Sequence, residues 1–221
     1  MLTLLGCSAT SKIEENLQHQ NNVIKILSLG DSYTIGESVC EKCRFPEQLK
    51  NALQEKNTDK EFIIKVIAKT GWTTTNLINA INNENLSKGF DLVTLLIGVN
   101  NQFQRLPFSK FKNEFSILVD KAILTVQSSK SRLVVLSIPD YGYTPFGNGS
   151  ETVSKDIEKY NNYIRDFCTR NNITFSNITT ITKTGLSNPK LVANDGLHPS
   201  TIAYTEFVKL LLPIVSQKLG L

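Results

Sequence analysis

The sequence predicts an α/β fold in which a parallel sheet of five strands lies between two layers of helices. Five short apolar runs alternate with longer segments whose apolar residues recur every three or four positions, a pattern typical of strands alternating with helices. The third run, 91–97, is apolar almost throughout, as expected for a central strand covered on both faces. A chain of 221 residues suits one domain with a sizeable core.

The first half of the chain contains two predicted strands, each followed by a helix. The strand 23–29 is rich in β-branched and aliphatic residues, and the helix 45–56 has apolar residues at every fourth position. The second strand, 62–67, precedes a helix that begins after a threonine within 72–75. Threonine favours that position because its hydroxyl can accept a hydrogen bond from a free N–H group of the first turn.

The second half continues the alternation after the central strand. Its elements are a helix over 108–129, a strand over 133–138, a helix over 154–170, a short strand over 173–175 and a last helix after Pro199. The loop 139–150 is rich in Gly, Pro and aromatic residues and is long enough to serve a function. Pro213 is predicted to kink the last helix or end it early, because proline lacks an N–H donor and clashes with the preceding turn.

Composition excludes several classes of function. The net charge is +4 and the basic residues are scattered, so a nucleic-acid-binding patch is not indicated. The chain has two histidines and lacks both the H-E-x-x-H pattern of a catalytic metal and the glycine-rich patterns of nucleotide binding. The sequence therefore predicts no metal, no cofactor and no nucleic acid as a partner, and it leaves the oligomeric state open.

A serine directly after the first predicted strand is the candidate nucleophile. Gly30, Asp31 and Ser32 follow that strand, and ligands of open α/β sheets bind beyond the carboxyl ends of strands. A serine hydroxyl needs a base to become a good nucleophile. The sequence Asp-Gly-Leu-His at 195–198 offers His198, whereas His19 lies in a polar stretch. Taken alone, Ser32 could cap a turn and His198 could be structural.

Four sequence blocks resemble the SGNH (GDSL-type) hydrolases. They are the Gly-Asp-Ser of 30–32, Gly71, the Gly-Val-Asn-Asn of 98–101 and the Asp-Gly-Leu-His of 195–198, in the order of the family. The resemblance implies a flavodoxin-like, three-layer α/β/α fold with strand order 2-1-3-4-5. It also implies a serine hydrolase of carboxylic esters, acting on a small-molecule, glycan or lipid ester as an esterase, a lipase or a carbohydrate deacetylase.

The same resemblance implies roles for individual residues. Ser32 would attack the acyl carbonyl, His198 would take its proton, and Asp195 would orient the imidazole. The backbone N–H groups of Ser32 and Gly71 and the side-chain amide of Asn100 would form the oxyanion hole. The family usually has an aspartate after the asparagine of its third block, whereas this chain has Asn101.

Two other functional classes remain open from the sequence. Gly71 and Asn100 are also common turn residues, and the chain could be a catalytically inactive binding module on the same fold. A flavodoxin-like binder of a phosphorylated cofactor would use the loop that contains Ser32, Thr34 and Gly36.

The N-terminal segment resembles the end of a bacterial lipoprotein signal. Leu-Leu-Gly-Cys at 4–7 fits a lipobox, in which Cys7 would be acylated, although no basic region precedes it. Residues 1–22 would then be a signal remnant and tether, 23–221 the hydrolase domain, and the cell envelope its location. The alternative is an untargeted N-terminus in a cytoplasmic protein. The sequence has no later run of the ~20 apolar residues that a membrane-spanning helix needs.

The remaining cysteines allow two interpretations. Cys40 and Cys43 form a C-x-x-C pattern without a second pair, so a zinc site is not indicated. They would form a disulfide in an oxidising compartment or stay as two thiols. Cys168 is predicted to lie in the core.

Overall fold

The structure is a computed structural model that describes residues 22–84, 86 and 88–221. Its five strands are β1 (Val23–Gly30), β2 (Glu61–Ala68), β3 (Leu92–Leu96), β4 (Leu133–Leu136) and β5 (Thr174–Ser176). They form one parallel sheet in the order β2-β1-β3-β4-β5. The parallel sheet and the flavodoxin-like strand order are therefore confirmed.

Helices cover both faces of the sheet. They are α1 (Ser32–Ile35), α2 (Phe45–Lys56), α3 (Thr74–Asn83), α4 (Val99–Phe103), α5 (Phe108–Thr125), α6 (Glu151–Arg170), α7 (Thr179–Thr182) and α8 (Thr201–Leu219). Helix α2 packs against α8, and α3 packs against α5. Each pair buries an apolar stripe of the kind that the sequence periodicity predicts.

The two central strands form the most buried part of the fold. All five residues of β3 are buried, which confirms the prediction of a strand covered on both faces. The polar pair within this layer, Ser28 and Thr94, is in register across β1 and β3. Thr94 Oγ1 donates a hydrogen bond of 2.9 Å to Ser28 Oγ, so neither hydroxyl is buried without a partner.

The sheet grows in opposite directions from β1: β2 is added on one side, and β3 and the later strands are added on the other. Strand β1 leads to β2 on one side and has β3 on the other, which makes the carboxyl ends of β1 and β3 the switch point where α/β folds bind ligands. Gly30 ends β1, and a Cβ there would lie 2.1 Å from Thr34 Oγ1 and 2.5 Å from the Leu96 carbonyl oxygen. Only glycine permits this close approach.

Two helix boundaries differ from the sequence prediction for local reasons. Helix α5 ends at Thr125, because Gln127 and Ser128 adopt positive φ angles of 54° and 65°, which a right-handed helix cannot continue. Helix α6 begins three residues earlier than predicted. The side chain of Ser150 caps it by accepting a 3.3 Å hydrogen bond from the N–H of Val153.

The predicted early end of the last helix does not occur. Helix α8 continues through Pro213 to Leu219. A proline leaves the carbonyl oxygen four residues before it, here that of Lys209, without its intrahelical donor. Both residues are exposed, so water can hydrate that carbonyl group and the helix can continue.

The cysteines of the described region adopt two different states. Cys40 and Cys43 form a disulfide, which decides between the two sequence interpretations. Cys168 is a free and fully buried thiol, as predicted. Cys7 and the rest of residues 1–21 lie outside the described residues. Among the helices that are described, none combines the length and the apolar character needed to cross a bilayer.

Candidate active site

Ser32 is the first residue of α1, directly after the carboxyl end of β1. The preceding residue, Asp31, caps this short helix by accepting a 3.0 Å hydrogen bond from the N–H of Tyr33. The same helix ends at Gly36, whose φ of 79° is left-handed. Within the described part of the chain, the Ser32 hydroxyl has no hydrogen-bond partner, so it is available to a ligand or a base.

Asp195 and His198 belong to one tight turn in the loop before α8. Asp195 Oδ1 accepts hydrogen bonds of 2.9 Å from the backbone N–H groups of Leu197 and His198. Asp195 Oδ2 lies 2.6 Å from His198 Nδ1. With the proton on Nδ1, the imidazole donates to the carboxylate, and its Nε2 is then an acceptor.

The position of His198 is fixed by backbone contacts within its loop and by the packing of its ring against Tyr33. The N–H of Ala193 donates to the carbonyl oxygen of His198 over 2.7 Å, and Val192 pairs with Pro199 in an antiparallel bridge. The imidazole packs against the ring of Tyr33, with centroids 5.2 Å apart. His198 is therefore 8% exposed and leaves little room for other ring orientations.

The carboxyl group of Asp195 is ionised at neutral pH. Partial burial raises its pKa, but hydrogen bonds from Ser38, from His198 and from the two backbone N–H groups outweigh that effect and hold the pKa well below its usual range. A carboxylate that accepts several hydrogen bonds favours its charged form. The negative charge lies where it can stabilise a protonated imidazole.

Gly71 lies in the loop between β2 and α3 and has a φ of 79°. Apart from its two chain neighbours, no protein atom lies within 4 Å of the position that a Cβ would take, so glycine is favoured here by the backbone conformation and not by crowding within the protein. Within the residues that the structure describes, the N–H of Gly71 has no acceptor, and neither has that of Ser32. Both donors are free for a ligand.

Asn100 is the second residue of α4, the short helix after β3. Its Nδ2 donates a 3.0 Å hydrogen bond to the carbonyl oxygen of Trp72. A side-chain amide has two N–H donors, so this bond fixes the orientation of the group and leaves one donor unused. The amide of Asn100 can therefore be both anchored and available.

Asn101 has a structural environment that explains the amide at this position. It is fully buried, its Oδ1 accepts from the N–H of Thr74 over 3.0 Å, and its Nδ2 donates to Thr74 Oγ1 over 2.7 Å. The Thr74 hydroxyl in turn donates to the carboxylate of Glu114. Asn101 thus joins α4 to the first turn of α3, in a network that needs one donor and one acceptor at residue 101.

Four of the five predicted site residues line one pocket of about 210 Å³. They are Ser32, Gly71, Asn100 and His198. Asp195 does not line the pocket and lies behind His198, to which it is hydrogen-bonded. The pocket is completed by Tyr33, Thr70, Val99, Phe103, Tyr141 and Leu197. Most of these side chains are apolar or aromatic, so the site combines a small polar cluster with an apolar wall.

Three aromatic side chains form a cluster at this wall, which we call the aromatic cluster: Phe103, Tyr141 and Phe146. Their ring centroids are 5.8, 6.1 and 6.3 Å apart. Phe103 is 50% exposed and Phe146 is 55% exposed, whereas Tyr141 is buried and its hydroxyl donates to Gln102 over 2.8 Å. Exposed aromatic faces beside a pocket can contact the apolar part of a ligand.

Asp31 lies behind Ser32 and is fully buried. Burial raises the pKa of its carboxyl group to about 7, although the hydrogen bond from the N–H of Tyr33 acts in the opposite direction. Its Oδ2 has no hydrogen-bond partner among the described residues. Asp31 therefore cannot replace Asp195 as the group that orients the imidazole.

Sequence reasoning missed Ser38. Its hydroxyl donates a 2.6 Å hydrogen bond to Asp195 Oδ2, and Ser38 itself belongs to no motif. In the described part of the chain, no group of three His, Cys, Asp or Glu side chains is arranged to hold a metal ion.

Comparisons with known sequences and structures show the family and the fold to which the chain belongs. The model of the GDSL-like lipase/acylhydrolase family matches residues 28–205, whereas no curated protein sequence matches the chain. A lipase from a goat rumen metagenome is 19% identical with a TM-score of 0.71, and the match covers 86% of this chain and 97% of that one. A psychrotrophic esterase from a Pseudoalteromonas species is 16% identical with a TM-score of 0.65, covering 89% and 99%. An acetyl xylan esterase from Geobacillus stearothermophilus is 16% identical with a TM-score of 0.64, covering 87% and 94%. The chain belongs to the GDSL-like lipase/acylhydrolase family and is a carboxylic ester hydrolase.

Proposed function

We propose that the chain is a serine hydrolase that cleaves carboxylic esters through an acyl-enzyme intermediate. One observation carries this proposal. Ser32 and His198 are far apart in the sequence yet line the same pocket, and Asp195 is hydrogen-bonded to the imidazole. Nucleophile, base and orienting carboxylate are the three groups that such a reaction needs.

The proposed reaction has two halves that use the same groups. Ser32 Oγ attacks the ester carbonyl carbon while His198 Nε2 takes its proton, and the imidazolium then protonates the departing alcohol. Water attacks the resulting acyl-Ser32 ester with His198 again as the base, which releases the carboxylic acid and restores the serine. Asp195 keeps the proton on Nδ1 and stabilises the imidazolium.

Three donors would stabilise the oxyanion of each tetrahedral intermediate. They are the N–H groups of Ser32 and Gly71 and the second N–H of the Asn100 amide. The two backbone donors have no acceptor in the described protein, and the bond from Asn100 to Trp72 holds its amide in place. Donors that are fixed before the reaction lower its barrier most, and losing one typically costs ~10²–10³ in kcat.

The pocket supports substrates with a short or medium acyl group. A volume of about 210 Å³ is small for a lipid chain, and its apolar wall favours alkyl groups over a bare acetyl group. Phe103 and Phe146 extend this apolar surface beyond the pocket. We therefore rank butyrate esters above acetate esters, and both above long-chain lipid esters.

The location of the enzyme is a separate proposal that depends on the N-terminal segment alone. Cys7 in the lipobox-like sequence would carry the lipid, and residues 8–22 would tether the domain to the envelope. Fractionation of cells that express the full chain tests it. Wild-type protein should sediment with membranes and Cys7→Ala protein should not, whereas equal distribution of the two would contradict lipid attachment.

Hydrolysis of p-nitrophenyl acetate, butyrate and octanoate tests the proposed reaction. The wild type should show a burst approaching one p-nitrophenol per active site before steady turnover, because the activated ester acylates the serine faster than the acyl-enzyme is hydrolysed. Ser32→Ala should lose both burst and turnover, whereas Ser116→Ala, which removes a serine hydroxyl on α5, should match the wild type. Turnover that is unchanged in Ser32→Ala would contradict Ser32 as the nucleophile, and background rates in both proteins would favour a catalytically inactive binding module on this fold.

A further inference from the structure

The loop 36–44, between α1 and α2, carries a side chain to the carboxylate of Asp195. Ser38 Oγ donates a 2.6 Å hydrogen bond to Asp195 Oδ2, the same oxygen that accepts from His198 Nδ1. The other oxygen of the carboxylate is held by N–H groups of its own turn, those of Leu197 and His198. Among the described residues, Ser38 is thus the one hydrogen-bonding partner of this carboxylate from outside its own turn.

The backbone of the loop is closed tightly around Ser38. Gly36 has a φ of 79°, and a Cβ at that residue would lie 2.5 Å from the Cβ of Arg44, so the two ends of the loop nearly touch. The N–H of Val39 donates to the carbonyl oxygen of Gly36 over 3.2 Å. Ser38 is therefore held within a short turn.

The second part of the loop is cross-linked. The disulfide between Cys40 and Cys43 closes a single helical turn. Arg44, which ends the loop, is buried and bridges Glu41 and Glu47 with nitrogen–oxygen distances of 2.9 and 3.2 Å. The pair of Arg44 with Glu47 joins the end of the loop to α2, and the other contacts stiffen the loop itself, so that Ser38 can hold Asp195 against a rigid support.

The backbone of Ser38 is itself unusual. Its φ is 66°, a left-handed conformation that glycine and asparagine adopt at lower cost than serine. Serine is thus not the residue that the backbone favours at this position, and its hydroxyl supplies the compensating contact with Asp195.

We propose that Ser38 is a positioning residue that fixes the plane of the Asp195 carboxylate and, through it, the orientation of the His198 imidazole. This inference rests on the roles of Asp195 and His198 in the proposed function. Without the Ser38 hydroxyl, Oδ2 keeps only its bond to the imidazole, so rotation of the carboxylate about its Cβ–Cγ bond is opposed by that bond and by the two N–H groups on Oδ1 alone. The imidazole then spends less time in the orientation that takes the proton of Ser32.

The expected effect is a loss of turnover without a loss of substrate binding. Ser38 does not line the pocket, so KM should stay within a factor of two of the wild type. Ser38 Oγ donates to a charged carboxylate, which strengthens the bond, but the bond is exposed to solvent. We therefore expect a decrease of about tenfold in kcat, which corresponds to about 1.4 kcal/mol.

Ser38→Gly is the informative variant, because glycine suits the left-handed backbone and the fold should not be weakened. Ser128→Gly is its matched control: Ser128 has a φ of 65°, is exposed and, within the described residues, makes no side-chain hydrogen bond. We expect kcat for p-nitrophenyl butyrate to fall about tenfold in Ser38→Gly and to stay unchanged in Ser128→Gly. Equal kcat values in both variants would overturn the inference.

A double-variant cycle separates positioning from a general structural role. If Ser38 acts through Asp195, Ser38→Gly should have no further effect on kcat in an Asp195→Ala background. The same fold-decrease in both backgrounds would mean that Ser38 acts independently of Asp195. That result would overturn the inference about Ser38 and would leave the proposed function unaffected. If Asp195→Ala itself left kcat unchanged, the role of Asp195 in the proposed function would fail, and the inference with it.

Discussion

The ring of Tyr33 packs against the imidazole of His198, with centroids 5.2 Å apart and planes inclined by 52°. Tyr33 directly follows Ser32, so this contact joins the first turn after β1 to the loop before α8. Tyr33 is 3% exposed and His198 is 8% exposed. The packing of the Tyr33 ring thus holds His198 at a fixed distance from the helix turn that carries Ser32.

The first prediction concerns this contact. Tyr33→Phe keeps the ring and should retain most of the wild-type kcat, whereas Tyr33→Ala removes the support of the imidazole. We expect Tyr33→Ala to lose at least tenfold in kcat and about 3–5 kcal/mol in the free energy of unfolding, as is usual for truncating a buried aromatic residue. Kinetics and denaturant unfolding of both variants provide the measurement. Full activity of a folded Tyr33→Ala protein would contradict the role of the contact.

The second prediction concerns the buried carboxyl group of Asp31. Burial raises its pKa from 3.8 to about 7, so the folded state binds this proton more tightly than the unfolded chain does. Asp31 therefore destabilises the fold increasingly as the pH rises from about 4 to about 7, by at most about 4 kcal/mol. Below pH 4 the group is protonated in both states and makes no such contribution.

Asp31→Asn tests this pH dependence, because an asparagine can still accept the hydrogen bond from the N–H of Tyr33. The variant should gain stability over the wild type at pH 8, and this gain should shrink toward pH 4. Urea unfolding of both proteins at several pH values measures the difference. A difference that does not change with pH would show that the pKa of Asp31 is the same in the folded protein and in the unfolded chain.

The third prediction separates two neighbouring asparagines. Asn100→Ala removes a proposed oxyanion donor at the surface of the pocket and should lower kcat by ~10²–10³ with little loss of stability. Asn101→Ala leaves the buried N–H of Thr74 without an acceptor, removes one partner of the Thr74 hydroxyl, and should cost about 1–3 kcal/mol of stability. Thermal unfolding and kinetics of the two variants check this division. A loss of stability in Asn100→Ala together with a loss of kcat alone in Asn101→Ala would mean that Asn101, and not Asn100, is the oxyanion donor.

The fourth prediction concerns the aromatic cluster. Phe103 lines the pocket and is half-exposed. Phe103→Ala should therefore reduce kcat/KM for butyrate and octanoate esters by about tenfold, because the acyl chain loses an apolar contact whose free energy is comparable to that of burying an apolar side chain. The value for the acetate ester should change much less, because a methyl group does not reach the cluster. Ile117→Ala, at an exposed apolar residue on α5, is the control. An equal reduction for all three esters would indicate a general disturbance of the site.

The elements of the fold and the four motif blocks could be predicted because their signals are local. Strand β1 is rich in β-branched and aliphatic residues and ends at a glycine, and Asp195 and His198 lie on one turn of the chain. Such patterns depend on neighbours in the sequence. The strand order came only from the family resemblance, since alternation of strands and helices does not determine it.

The contacts that the sequence did not predict depend on distant segments. The hydrogen bond from Ser38 to Asp195 joins two loops that are far apart in the sequence. The environment of Asn101 depends on Thr74 and Glu114, which lie on two other helices. The continuation of α8 past Pro213 depends on that residue facing solvent. None of these arrangements leaves a periodic or compositional signal in the sequence.

Covalent labelling of Ser32 is the most direct test of the proposed mechanism. Wild-type protein should react with one equivalent of a fluorophosphonate, and peptide mass spectrometry should place the adduct on Ser32. Ser32→Ala should remain unlabelled, and His198→Ala should label far more slowly, because the serine then lacks its base. An adduct on another residue, or a folded and ester-hydrolysing wild type that does not react at Ser32, would contradict the assignment of Ser32 as the nucleophile.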